Sequence, residues 1–116
     1  MLVRIDPSST VPLFEQVAAS IRRALADRDI APGEHLLPAR ELAASLDINV
    51  HTVLRAYAVL RDEGLIELRR RRGAVVTGSA DLRSRLHTLA GELVEEARRA
   101  GVHPDELAQI VKEKYA

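Results

Sequence analysis

The chain has no cysteine and no tryptophan, and its aromatic side chains amount to one phenylalanine and two tyrosines. Without cysteine, disulfides and thiolate metal sites are excluded. The absence also fits a reducing compartment, so a cytoplasmic location is expected. With so few aromatics, the core of this 116-residue chain must be built from Leu, Val, Ile and Ala. No apolar run approaches the roughly 20 residues that a membrane-spanning helix needs. The first residues, Met1-Leu2-Val3-Arg4-Ile5-Asp6-Pro7, lack the apolar core of a secretory signal. There is no excess of charge of either sign: 17 basic residues stand against 17 acidic ones. A nucleic-acid binder is often strongly basic, so the placement of the charges matters more here than their sum. His35, His51, His87 and His103 show no metal-ligand spacing, so no metal and no other cofactor is expected. Ser8 and Ser9 have no base-and-orienter pattern nearby, and no glycine-rich phosphate loop occurs. Nothing in the residues supports an enzyme.

What is present is a sequence of short elements. The first eleven residues read as extended, with turn chemistry at Asp6-Pro7-Ser8-Ser9-Thr10. Pro12 suits a helix start. Leu13, Phe14, Val17, Ala18, Ile21, Ala24 and Leu25 then form one helical stripe, predicting a helix from about Pro12 to Asp27. Ala31-Pro32-Gly33-Glu34 interrupts the chain, and Pro38 opens a short second helix with Leu42, Ala43 and Leu46 on its apolar side. After the tight link Asp47-Ile48-Asn49, Asn49 can cap a third helix that turns Val53, Ala56, Tyr57 and Leu60 inward and ends at Glu63-Gly64. Leu65–Leu68 and Ala74–Thr77 read as two short strands around a basic turn. The expected fold is mainly α with a small β-hairpin: a winged helix-turn-helix over residues 1–78, followed by a two-helix dimerisation segment over 79–116.

Two clusters carry candidate chemistry. If the third helix buries the apolar face named above, His51, Thr52 and Arg55 point outward with Asn49 beside them. Arg can bond guanine, Asn adenine, and Thr can offer a hydroxyl or a methyl in the major groove. The same residues also fit an ordinary solvated helix face. Arg69-Arg70-Arg71-Arg72 is the densest charge cluster in the chain. At a hairpin tip it suits phosphate or minor-groove contact better than a structural turn, because adjacent like charges repel. Arg70, Arg71, Arg72 and Gly73 are therefore candidate wing contacts. Arg40, opening the second helix, is a candidate phosphate contact, with an ion pair to Asp47 as the alternative.

The last third has a different pattern. Leu82, Leu86, Leu89, Leu93, Ala97 and Ala100 recur every three or four residues, close to a heptad seam. Gly101 stops that helix, and His103-Pro104-Asp105-Glu106 starts another carrying Leu107, Ile110, Val111 and Tyr115. Leu82, Leu86, Leu89 and Leu93, with Leu107, Ile110 and Val111, are the candidate dimerisation residues, because a single facing helix covers only part of such a stripe. A small-molecule effector, in a chain this short, is expected between subunits or at the joint near Gly78.

Ordered blocks through residues 11–77 resemble the GntR family of regulators. They are Pro12-Leu13-Phe14-Glu15-Gln16, Pro32-Gly33-Glu34, Leu37-Pro38-Ala39-Arg40-Glu41-Leu42-Ala43, Asn49–Tyr57, Glu63-Gly64-Leu65-Ile66 and Arg72-Gly73. The short tail and the run Arg55-Ala56-Tyr57 are similar to its YtrA branch. The resemblance implies a homodimeric, repressor-like protein on a pseudo-palindromic operator. It also implies DNA contacts at the positions of Arg40, Asn49, His51, Thr52, Arg55, Arg72 and Gly73. The chain departs from the family pattern where the second helix lacks the usual serine after proline, where Leu54 replaces a polar or Arg residue, and where Arg71 replaces glycine. A winged helix that binds protein instead of DNA is the alternative, and it would be expected to expose apolar residues on its wing.

Overall fold

The computed structural model describes residues 3–70 and 73–115. Its elements, in chain order, are α1 (Leu13–Ala26), α2 (Ala39–Leu46), α3 (Val50–Asp62), β1 (Ile66–Arg69), β2 (Gly73–Val76), α4 (Ala80–Arg99) and α5 (Pro104–Lys114). They form two compact units, Met1–Arg85 and Leu86–Ala116, with α4 beginning in the first and ending in the second.

In the first unit the apolar stripe of α1 (Val17, Ala18, Ile21, Ala24, Leu25) packs on α3, which contributes Val53, Ala56, Tyr57 and Leu60 to the same buried core, and α2 packs on α3 and adds Leu42 and Ala43. These are the faces that the 3.6-residue period marked. An ion pair latches α1 to the end of α3. Arg22 donates from Nε and Nη2 to both carboxylate oxygens of Glu63, at 2.8 and 2.6 Å. Tyr57 is buried in this core, and its hydroxyl donates to the carbonyl of Leu37 at 2.6 Å. Burial pushes the phenol pKa up to about 12, so it remains a donor throughout the physiological range. Tyr57→Phe keeps the ring and leaves that carbonyl without its donor. The expected cost is about 1 kcal/mol, read as a lower urea midpoint at unchanged m-value.

β1 and β2 pair antiparallel, from Ile66 opposite Val76 to Arg69 opposite Gly73. The chain ahead of α2 adds a third edge that the sequence pattern did not mark. His35 bridges Val75, Gly33 N–H donates to Val76 O, Val76 N–H to Glu34 O, and Leu36 N–H to Ala74 O, each hydrogen bond 2.9 Å long. The wing is thereby tied to the entrance of the helix-turn-helix. The N-terminal segment also docks: Val3 is buried, and Gln16 accepts from Asp6 N–H while donating to the carbonyls of Asp6 and Val11.

Helix ends follow one rule. α1, α2, α3 and α4 each close with paired backbone bonds of the Schellman type around a left-handed residue, at Arg28, Asp47, Gly64 and Gly101. Gly64, at φ +79°, does this without strain. Arg28 and Asp47 adopt φ +61° and +54°, a conformation that disfavours a side chain. In the second unit, His103 is more than a surface histidine: its Nδ1 accepts from Asp105 N–H at 3.1 Å and caps α5. α5 buries none of its residues; Leu107 is half-buried, and Ala97 of α4 is buried.

Candidate nucleic-acid interface

The inward face of α3 determines what its outward face presents. With Val53, Ala56, Tyr57 and Leu60 buried, the 100° step of the helix turns His51 almost directly away from the core. Arg55 lies about 40° to one side of His51 and Leu54 about 60° to the other. His51, Leu54 and Arg55 are exposed, and Thr52 is half-buried.

Asn49 sits at the N-cap, where its Oδ1 accepts from His51 N–H at 2.8 Å. That bond ties one of the two lone pairs of the Asn49 carbonyl to the helix start and holds the side chain against its own backbone. Asn49 keeps its Nδ2 donors, which suit a phosphate oxygen.

Arg55 is held in place from across the fold. Its Cζ lies 3.8 Å from the centroid of the Phe14 ring, a cation–π contact worth about 0.5–1 kcal/mol at an exposed site. The in-plane N–H donors of a stacked guanidinium stay open at its edge. Arg55 and Phe14 are separated by the same 41 residues as the Arg22–Glu63 pair. α1 and α3 therefore lie side by side in the same direction, and the ion pair at one end helps set the register of the stack at the other. Leu13, Phe14, Asn49, His51, Thr52 and Arg55 line an open recess of about 400 Å³. Sequence reasoning placed Leu13 and Phe14 in the core stripe and missed this second role. The available signal was that the chain's one phenylalanine stands at the very start of α1.

Arg40 lies exposed in the first turn of α2 and has no ion-pair or hydrogen-bond partner among the described residues, so the alternative pairing with Asp47 does not form. Pro38 gives this helix no side-chain cap. On the wing, Arg69 is bound to Glu67 at 3.0 Å, while Arg70 is exposed. Gly73 opens β2 at φ +70°, with nothing near the place a Cβ would take; the backbone angle, more than crowding, selects glycine there. Arg71 and Arg72 lie outside the described residues.

Residues 13–76 match the family described as bacterial regulatory proteins, gntR family. The chain belongs to the GntR family. The matched span runs from the first residue of α1 to the last of β2, the whole winged helix-turn-helix. The HTH-type transcriptional repressor YtrA of Bacillus subtilis is 30% identical over 118 residues, which cover 97% of this chain and 91% of the relative. Among solved structures, YtrA from Sulfolobus acidocaldarius, a GntR-family transcription factor, superposes with a TM-score of 0.64 at 34% identity, covering 82% of this chain and 99% of that one. A GntR-family regulator from Listeria monocytogenes gives a TM-score of 0.66 at 25% identity, over 94% and 98% of the two chains. These matches span almost the full length of the relatives, so the short tail is part of the YtrA-like resemblance.

Proposed function

We propose that this GntR-family transcription regulator is a homodimeric, cytoplasmic repressor that sets two copies of α3 into successive major grooves of a pseudo-palindromic operator. Residues 1–78 bind DNA and residues 79–116 hold the dimer. The observation that carries the reading is the outward face of α3. His51, Thr52 and Arg55 stand together in its first two turns, and Phe14 pins the arginine so that less side-chain entropy is lost on binding. In this reading Arg55, His51 and Thr52 meet base edges, and Asn49 and Arg40 hold phosphates. The wing residues Arg70, Arg71, Arg72 and Gly73 follow the backbone or the minor groove. A small-molecule effector would bind between the subunits, where the tail offers surface. The protein-binding alternative has one exposed apolar residue on the described wing, Leu68 between Glu67 and Arg69; a lone surface leucine is ordinary.

The reading is tested by fluorescence-anisotropy titration against duplex DNA from upstream of the regulator's own gene and against a scrambled duplex. At physiological salt the upstream duplex is expected to bind at least about 10³-fold more tightly. Equal affinity for both would overturn sequence-specific binding. The wing is tested by salt. Arg70→Ala combined with Arg72→Ala is expected to weaken both duplexes. It should also flatten the plot of log affinity against log salt by about 0.9 for each phosphate that is no longer neutralised. An unchanged slope would remove the wing from the interface.

A further inference from the structure

The outward face of α3 carries one side chain that the proposed contacts do not use. Leu54 is 48% exposed, in the second turn of the helix, on the flank of His51 opposite Arg55. The residues directly before it and two after it, Val53 and Ala56, lie about 100° and 160° around the helix from Leu54 and are buried, whereas Leu54 itself is left outside the core. We infer that Leu54 is a specificity residue that packs on the C5-methyl group of a thymine in the operator's major groove. The inference rests on α3 being the recognition helix.

The chemistry leaves a single choice of base. A leucine side chain neither donates nor accepts a hydrogen bond, so it would only strip water from the polar groups that adenine, guanine and cytosine present in the major groove. Thymine alone among the standard bases presents a methyl group there. The placement suits such a contact: Leu54 lies close to His51 and Arg55 along the axis, in the N-terminal half of the 13-residue α3, the part of a recognition helix that reaches base edges. Burial of a methyl against a branched apolar side chain gains from water removal on both partners. In this arrangement Arg55 and Leu54 read different positions of one half-site, the first by hydrogen bonding and the second by an apolar contact.

The experiment begins by selecting bound duplexes from a random library with the full-length protein. Each thymine of the recovered operator is then replaced singly by deoxyuridine, which removes the methyl and keeps the base pairing. One thymine per half-site is expected at which deoxyuridine weakens wild-type binding about fourfold. Leu54→Ala, a change at an exposed site that leaves the core intact, is expected to bind the thymine operator with a similar loss and to be indifferent to deoxyuridine at that position. If every deoxyuridine substitution affects wild type and Leu54→Ala equally, the methyl contact is refuted, while a selected operator that still requires Arg55 leaves the DNA-binding reading standing. If selection recovers no preferred sequence, the DNA-binding reading itself fails and takes this inference with it.

Discussion

Arg55→Ala is expected to weaken operator binding by about 1–3 kcal/mol and to relax base preference at one position of each half-site. Binding to random DNA should change far less, because the guanidinium serves a base edge and the phosphate grip is elsewhere. Arg55 is exposed and its packing partner is the half-buried Phe14 ring, so the winged helix should stay folded and lose no more than that contact's worth, about 0.5–1 kcal/mol. Removing the ring in turn, by Phe14→Leu, should produce a smaller loss at the same base position, since the guanidinium survives but is no longer held. Selection experiments with each variant check both effects. Unchanged operator affinity for Arg55→Ala would take α3 out of the role of recognition helix.

The second large effect is expected from the tail. Leu82, Leu86, Leu89 and Leu93 of α4 are 64, 66, 54 and 42% exposed, and on α5 Ile110 and Val111 are exposed too. Apolar stripes of this kind mark a surface that meets a partner. Leu86→Asp combined with Leu93→Asp places carboxylates in that stripe without touching a buried core residue. A monomer by analytical ultracentrifugation and a wing and helix-turn-helix intact by circular dichroism are expected. Operator affinity should fall by about 10²–10⁴-fold, because two half-sites held by one dimer gain from effective concentration. Half-site affinity should be unchanged. A variant that stays dimeric with full affinity would place the interface elsewhere.

On the proposed reading, α1 also has a part in DNA recognition. It buries one face against α3, supplies Arg22 to the ion pair with Glu63, and supplies Phe14 to Arg55. A helix that read from its apolar stripe as pure scaffold is thus also the shelf on which Arg55 rests.

Local sequence was enough to specify the elements and several of their ends, though not the His103 cap of α5 or the left-handed ends at Arg28 and Asp47. The stripes of α1, α2 and α3, Asn49 as N-cap, Gly64 and Gly101 as left-handed ends and the hairpin around the arginines are all short-range features. Each is decided within a few residues by helical period, by the backbone freedom of glycine or by a side chain that bonds its own helix start. The residues also carried the GntR resemblance and the outward side chains of α3, because naming the buried face names the exposed one. Which of those outward residues is free to act depended on the packed fold. Arg55 rests on Phe14, and Arg40 is left unpaired among the described residues. The pairing of 33–36 with β2 and the Arg22–Glu63 latch were likewise out of reach of a sequence reading. The reason is range: these contacts join residues tens of positions apart, and they exist only once the packing of α1 on α3 has set one register for both helices.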